Sequence, residues 1–216
     1  MNLKFLGDEK WGIAVYESEI KNCAFHISNI ENTASGKFLN KCLWTKAEVG
    51  LYKHDDKHRR CFDWKPTENF VDSIKQDNVN FFETFYSIKN SVYNTAQNYA
   101  SRYNIQLGYM EVMNFIKYFD DDFFNYHSDD GATYLSTVSS VAYLNDDYKG
   151  GGLHFKFFDV EYTPNAGDVV VFPSTFLYSH SAMNVDAGVK YSVVTMFDYN
   201  RKEFIDTIGK NREYFA

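Results

Sequence analysis

At 216 residues the chain has the length of one domain, and with 44% hydrophobic residues, including 17 Tyr and 20 Phe, it can bury a substantial and strongly aromatic core. Its 22 basic against 29 acidic residues leave a net charge of -7, which argues against a broad phosphate-binding surface and a nucleic-acid partner. Cys23, Cys42 and Cys61 are odd in number and widely spaced, which argues against a disulfide framework and fits a reducing compartment.

The start, MNLKFLGDEKW, has no uninterrupted apolar run, and nowhere does one reach the roughly eighteen residues that span a bilayer. A soluble, cytoplasmic protein with no membrane partner is expected. Gly12 to Tyr16 (GIAVY) reads as a short strand, and Glu17 to Ile30 carries apolar residues at helical spacing. From Thr33 to Pro66 only isolated hydrophobes remain, so a long irregular or lid-like segment is expected, with its Tyr and Trp residues as lid contacts. Between Glu68 and Tyr103, Phe81, Phe85, Ile88, Val92, Ala96, Tyr99 and Tyr103 recur every three or four residues, which is one apolar face of a long helix packed into the core.

After Gly108 the texture changes to short runs rich in Val, Phe, Tyr and Thr, separated by Gly, Asn and Asp: Tyr109 to Tyr118, Leu135 to Leu144, Gly152 to Phe158, Asp168 to Phe172 and Lys190 to Phe197. That spacing predicts an antiparallel sandwich or barrel. The fold class is therefore α+β in one domain over 1–216, with a helical N-terminal part at about 1–107 and a β core at about 108–200.

Two histidines and two carboxylates compete as metal ligands in the segment His54, Asp55, Asp56, His58, but its charge without apolar periodicity predicts a solvated loop. His26 falls among helical core positions and His154 in an alternating strand, and both read as structural. His127 and Asp129 lie at i and i+2, which on a strand edge puts both side chains on one side. Of the remaining histidines His180 is best placed as a third ligand, between the apolar run GDVVVFPS and the strand that starts at Lys190. Two imidazoles and one carboxylate leave open positions on an iron(II) ion, whereas a structural zinc site closes its shell with four protein ligands. Lys190, opening an apolar strand, is either an exposed strand end or a buried ammonium in need of a carboxylate. Tyr118, nine residues before His127, could donate to the same carboxylate.

The segments YFDDDFFNYHSD, VAYLNDDYKGGGLHF, PNAGDVVVFPS and HSAMNVDAGVK together resemble the iron(II) and 2-oxoglutarate dependent dioxygenases, most closely the prolyl 4-hydroxylase branch. In that family a tyrosine precedes His-x-Asp at this spacing, and the distal histidine precedes a lysine by ten. The resemblance runs from about Phe115 to Tyr199. Two positions depart from it: Asp121 stands where glycine is common, and Met196 where a large aromatic is common.

The resemblance implies a double-stranded β-helix, or jelly roll, supported by N-terminal helices. It implies Fe(II) held by His127, Asp129 and His180, and 2-oxoglutarate bound to the metal with its far carboxylate on Lys190, aided by Tyr118 and, more weakly, Ser192. O2 is the second cosubstrate, succinate and CO2 leave, and ascorbate is an expected accessory reductant. A procollagen-proline 4-dioxygenase-like enzyme acting on proline in a peptide or protein is the leading expectation. The alternatives are a hydroxylase of another side chain, a free amino acid or a nucleobase, a cupin oxygenase that uses no 2-oxoglutarate, and a non-catalytic jelly-roll binding module.

Overall fold

The computed structural model describes residues 1–49, 53–131 and 135–199. The first half contains β1 (Asn2–Phe5), β2 (Ala14–Glu17), α1 (Cys23–Ala34), β3 (Thr45–Lys46), β4 (Arg59–Arg60), β5 (Phe62–Trp64), α2 (Glu68–Ser73) and α3 (Val79–Arg102). Apart from a 3-10 turn at Phe176–Tyr178, the regular elements of the second half are strands: β6 (Tyr109–Met110), β7 (Asn114–Tyr118), β8 (Phe123–His127), β9 (Val138–Tyr143), β10 (Lys149–Gly150), β11 (Leu153–Phe155), β12 (Val160–Tyr162), β13 (Val169–Pro173), β14 (His180–Ala182), β15 (Val185–Ala187) and β16 (Lys190–Asp198). Every described strand pairing is antiparallel. None of the described helices is long and apolar enough to cross a membrane.

The strands form a large sheet, ordered β1-β2-β13-β9-β16-β7-β5-β3 with β6 on β16, a small sheet, ordered β12-β11-β14-β8-β4, and a separate β10-β15 pair. Packed face to face, the large and small sheets make the jelly roll, and the helices cover the far face of the large sheet. Residue alternation along β13 explains these three layers. Val169 and Val171 face the helices, with Phe81, Phe85, Ile88 and Val92 of α3 in the same cluster, while Val170 and Phe172 face Phe155 and Tyr143 between the sheets. A strand buried on both faces reads as the continuous apolar run VVVF.

The structure departs from the expected elements in three places. The first helix begins at Cys23 and not Glu17, because Ser18 and Asn22 take left-handed conformations and the intervening turn is tied to the β12–β13 corner by Ile20 N–H to Gly167 O at 3.0 Å. The long helical pattern is broken at Asn78, whose side chain accepts from Phe81 N at 3.2 Å and caps α3, leaving α2 as a separate short helix. The segment from Thr33 to Pro66 is not uniformly irregular. Its β5 pairs with β7 and its β4 with β8, so it closes the same end of both sheets. Trp44 and Trp64 are buried against each other and are core residues, not lid contacts; Tyr52 lies outside the described residues.

Asp168 holds the corner that joins the layers. Its buried carboxylate accepts from Ser18 N at 2.9 Å, Tyr162 Oη at 2.5 Å and Asn165 N at 2.9 Å. Replacing it with alanine removes the shared acceptor of three donors, among them the buried Tyr162 hydroxyl, so Asp168→Ala should lower the unfolding free energy by about 2 kcal/mol, read as a fall in the urea midpoint. A midpoint within error of wild type would contradict that role.

Candidate metal centre

Strand register brings the candidate ligands together. β14 and β8 pair so that His180 sits opposite His127, and Asp129 follows in the turn just beyond β8. The His127 Nε2 lies 3.6 Å from one Asp129 carboxylate oxygen and the His180 Nε2 3.8 Å from the other. One donor atom from each residue falls within 4.8 Å of the other two, and among the described residues no other His, Cys, Asp and Glu group of three or more does this.

Backbone carbonyls fix both imidazoles. His127 Nδ1 lies 2.8 Å from Asn125 O, and His180 Nδ1 lies 3.0 Å from Tyr178 O. Because a carbonyl can only accept, each Nδ1 carries the proton and each Nε2 turns a lone pair toward Asp129. Burial, then the neighbouring His180, holds the His127 pKa well below the usual histidine range, so that ring is a neutral donor at pH 7. Asp129 Oδ2 is buried with no hydrogen-bond partner. An orphaned carboxylate oxygen facing two imidazole lone pairs fits a divalent cation, which would satisfy all three at once.

The large sheet supplies the other end of the cavity. β16 pairs with β7 so that Lys190 lies opposite Tyr118 and Ser192 opposite Ile116, and with β9 so that Ser192 lies opposite Tyr143. Lys190, Ser192, Val194 and Met196 alternate onto the face that looks at the small sheet, and all four line the same cavity as His127, Asp129 and His180. Lys190 is 2% exposed, and the bland alternative of a solvated strand end does not apply. Its Nζ donates to Gly151 O at 2.5 Å and sits over the rings of Tyr118, Tyr143 and Tyr148 at 5.1, 5.2 and 5.9 Å. No carboxylate among the described residues pairs with it. Burial pushes its pKa down to about 7. A buried ammonium poised to lose its proton for want of a counter-charge fits an anionic ligand such as the far carboxylate of 2-oxoglutarate.

Tyr118 is buried beside Lys190 and lines the same cavity, with its hydroxyl also engaged with the Cys61 thiol. The glycine run explains how the chain passes so close to Lys190. Gly150 and Gly151 have φ of +70° and +64°, and a Cβ on Gly150 would lie 2.4 Å from Asn184 O. Asp121 takes φ +65°, the conformation a glycine would favour there, so the turn before β8 keeps a left-handed residue.

The competing histidines sit elsewhere. His54 and His58 are more than half exposed and pair with Glu48 and Asp55. His26 is buried against Thr84 Oγ1 at 3.1 Å, and His154 bonds the Tyr126 hydroxyl at 2.8 Å on the outer face of the small sheet. Sequence reading passed over Tyr143, Phe124 and Arg59, which also line the cavity. Tyr143 carried a signal, since it lies two residues before Asn145 in an apolar strand that alternates onto the Lys190 face. Arg59 and Phe124 carried none, because only the pairing of β4 with β8 brings them together.

The Lys190 pKa makes the ligand-free protein's stability depend on pH. Unfolded, Lys190 keeps its proton up to the ordinary lysine value of about 10.4; folded, it releases it near 7. Between those values the unfolded chain binds more protons, so this group makes the folded state gain stability as pH rises. Wild type should therefore gain on Lys190→Met in chemical denaturation between pH 7 and 10, and a pH-independent difference would contradict the buried, unpaired state.

Residues 113–198 match the family model described as 2OG-Fe(II) oxygenase superfamily. No curated protein matches the chain in sequence. Among solved structures, a prolyl hydroxylase from Trichoplax adhaerens, in complex with a hypoxia inducible factor oxygen degradation domain peptide fragment, superposes with a TM-score of 0.70 at 14% identity over 90% of this chain and 86% of its own. A prolyl-4-hydroxylase from Pseudomonas putida matches at TM-score 0.59 and 19% identity, covering 88% of this chain and 94% of its own. The viral collagen prolyl hydroxylase from Paramecium Bursaria Chlorella virus-1 matches at 0.60 and 12%, covering 86% and 94%. At such identities these likenesses establish the fold, and the family match supports an oxygenase that uses Fe(II), 2-oxoglutarate and O2. Over its core the chain is thus similar in sequence to the 2OG-Fe(II) oxygenase superfamily, and over most of its length it shares the fold of these three prolyl hydroxylases.

Proposed function

We propose that the chain is an Fe(II)- and 2-oxoglutarate-dependent dioxygenase that hydroxylates proline in a peptide. The observation that carries this reading is one cavity with an unsatisfied His127, Asp129, His180 donor set on one wall and a buried ammonium without a carboxylate, Lys190, on the other. A closed structural metal site needs no such lysine, and a binding module needs neither.

Bound Fe(II) with 2-oxoglutarate and O2 supplies the oxidising power to hydroxylate an unactivated C–H, with succinate and CO2 released. His127 and His180 would each offer Nε2 to the ion and Asp129 the one negative charge, which would leave the remaining positions to the cosubstrates. Lys190 orients 2-oxoglutarate by pairing with its far carboxylate, which also restores the lysine to its charged form. Tyr118, Tyr143 and Tyr148 ring that ammonium and keep water from competing for it. Ser192, on the same strand face, is a secondary contact.

Proline in an extended peptide is favoured as substrate by the likeness to prolyl hydroxylases, one of them bound to a peptide, and by the HSAMNVDAGVK and GGGLHF segments. A preformed polyproline II segment also loses little entropy on entering a groove. The net charge of -7 disfavours a nucleobase in a nucleic acid. Ascorbate is assigned the role of accessory reductant, and the Asp120 to Asn125 turn is the expected wall of the groove.

Incubation with Fe(II), 2-oxoglutarate, ascorbate and proline-rich peptides should release succinate in step with a gain of one oxygen on proline. Lys190→Ala should raise the 2-oxoglutarate requirement about 100-fold or more while leaving the iron requirement near wild type, because losing one partner of a buried charge pair costs about 3 to 5 kcal/mol. Succinate release stimulated only by a free amino acid or a nucleobase would overturn the prolyl assignment, and an unchanged 2-oxoglutarate requirement in Lys190→Ala would overturn the cosubstrate assignment.

A further inference from the structure

Arg59 is a buried arginine in a short strand of the N-terminal half, far from His127 in sequence. β4 pairs with β8 so that Arg59 lies opposite Phe124. Its guanidinium carbon is 4.6 Å from the centre of the Phe124 ring. The Phe124 ring in turn lies on the His127 imidazole, with centroids 3.6 Å apart and planes inclined by 15°. Guanidinium, phenyl and imidazole thus form a stack of three groups that ends on a cavity histidine.

The guanidinium is itself held from three directions. Nε donates to the Cys61 thiol at 3.3 Å, one terminal nitrogen donates to Glu48 O at 3.0 Å, and the other lies 3.8 Å from Asp63 Oδ2. Its neighbour Arg60 makes a useful contrast. That side chain is 42% exposed, pairs with Asp122 at 3.2 Å, and lies over Phe123, which is not stacked on His127.

We propose that the Arg59–Phe124 stack is a positioning device that holds the His127 ring in the orientation that presents Nε2 to a metal. The proposal rests on the reading of His127, Asp129 and His180 as metal ligands. A single hydrogen bond from Nδ1 to Asn125 O fixes which nitrogen is free, but it leaves the ring able to rock about that bond. A flat group at van der Waals distance over the face of the ring removes that rotation. Phe124 can serve only if its own ring is fixed, and Arg59 lies over that ring as a planar, delocalised cation suited to stacking. Arg59 and Phe124 also line the cavity, but neither offers a metal-donor atom, so toward the metal they act through His127. The stack also couples the segment after β3 that carries Glu48, and the β4–β5 segment, to the site, so the N-terminal half contributes directly to its geometry.

The test is anaerobic titration of the full chain with Co(II), whose visible d–d bands report the ligand field at the ion, with circular dichroism to verify folding. Wild type, Phe124→Leu, Phe124→Tyr, Arg59→Met, Arg59→Lys and Arg60→Met are compared. The proposal expects Phe124→Leu and Arg59→Met to weaken Co(II) binding about 10- to 100-fold and to shift the bands, as supporting contacts to ligands commonly do. Phe124→Tyr, which keeps the flat ring, and Arg60→Met should match wild type, and Arg59→Lys should fall between. If Arg59→Met does not fold, the Phe124 pair and Arg59→Lys carry the comparison. Wild type that binds no Co(II) would overturn the metal-site reading itself. Wild type that binds, with Phe124→Leu giving unchanged affinity and unchanged bands, would overturn the positioning role alone. So would losses of affinity in every variant, Arg60→Met included, that follow thermal stability with no band shift.

Discussion

An ammonium buried between two β-sheets with no carboxylate to meet it is costly, several kcal/mol for an ion before any compensation. Lys190 is in that position, held by one carbonyl and three aromatic rings. A fold optimised for stability alone would place an apolar residue there, since replacing buried ions with well-packed hydrophobes is often neutral or favourable. Across the same cavity a carboxylate oxygen of Asp129 is left unpartnered. The two unsatisfied groups have opposite sign and do not meet each other. The proposed occupants, a cation at one end and a dicarboxylate reaching from it to the other, satisfy both.

What keeps these groups apart and aimed is strand register. A shift of one residue in β16 would turn Lys190 out of the cavity and carry Tyr191 into it. A shift between β14 and β8 would separate His180 from His127. Register is in turn secured by elements outside the site. α3 buries Phe81, Phe85, Ile88 and Val92 on the reverse face of the large sheet, and Asp168 ties the β12–β13 corner to the turn after β2. The pairing of β4 with β8 and β5 with β7 closes one end of the sandwich and brings Arg59 against Phe124. Stability and site geometry therefore share the same contacts.

Much of this was legible in the sequence because it depends on local spacing. The heptad-like recurrence from Phe81 to Tyr99 gives the buried face of α3, and the run from Val169 to Phe172 gives a doubly buried strand. His127 and Asp129 are two residues apart, and the apolar run and the strand on either side of His180 mark where the chain returns to the site; the structure brings their donor atoms within 4.8 Å of one another. What was not legible depends on contacts remote in sequence. The left-handed residues Ser18 and Asn22 delay the first helix because that turn is bonded to Gly167, some 150 positions away. Thr33 to Pro66 lacks periodicity because β3, β4 and β5 are two or three residues long, too short to show alternation, yet they anchor both sheets. A lone arginine among charged neighbours reads as solvated surface, and only the fold shows that Arg59 is buried and Arg60 is not.

The central claim is that one cavity binds a metal and a dicarboxylate together, through opposite walls. Anaerobic addition of Fe(II) and then 2-oxoglutarate, followed by visible absorption, tests it most directly. The account predicts a weak metal-to-ligand charge-transfer band that needs both components, is absent with Asp129→Ala, and requires much more 2-oxoglutarate to develop with Lys190→Ala. Iron that binds stoichiometrically to the wild-type protein while 2-oxoglutarate produces no band at any concentration would contradict it.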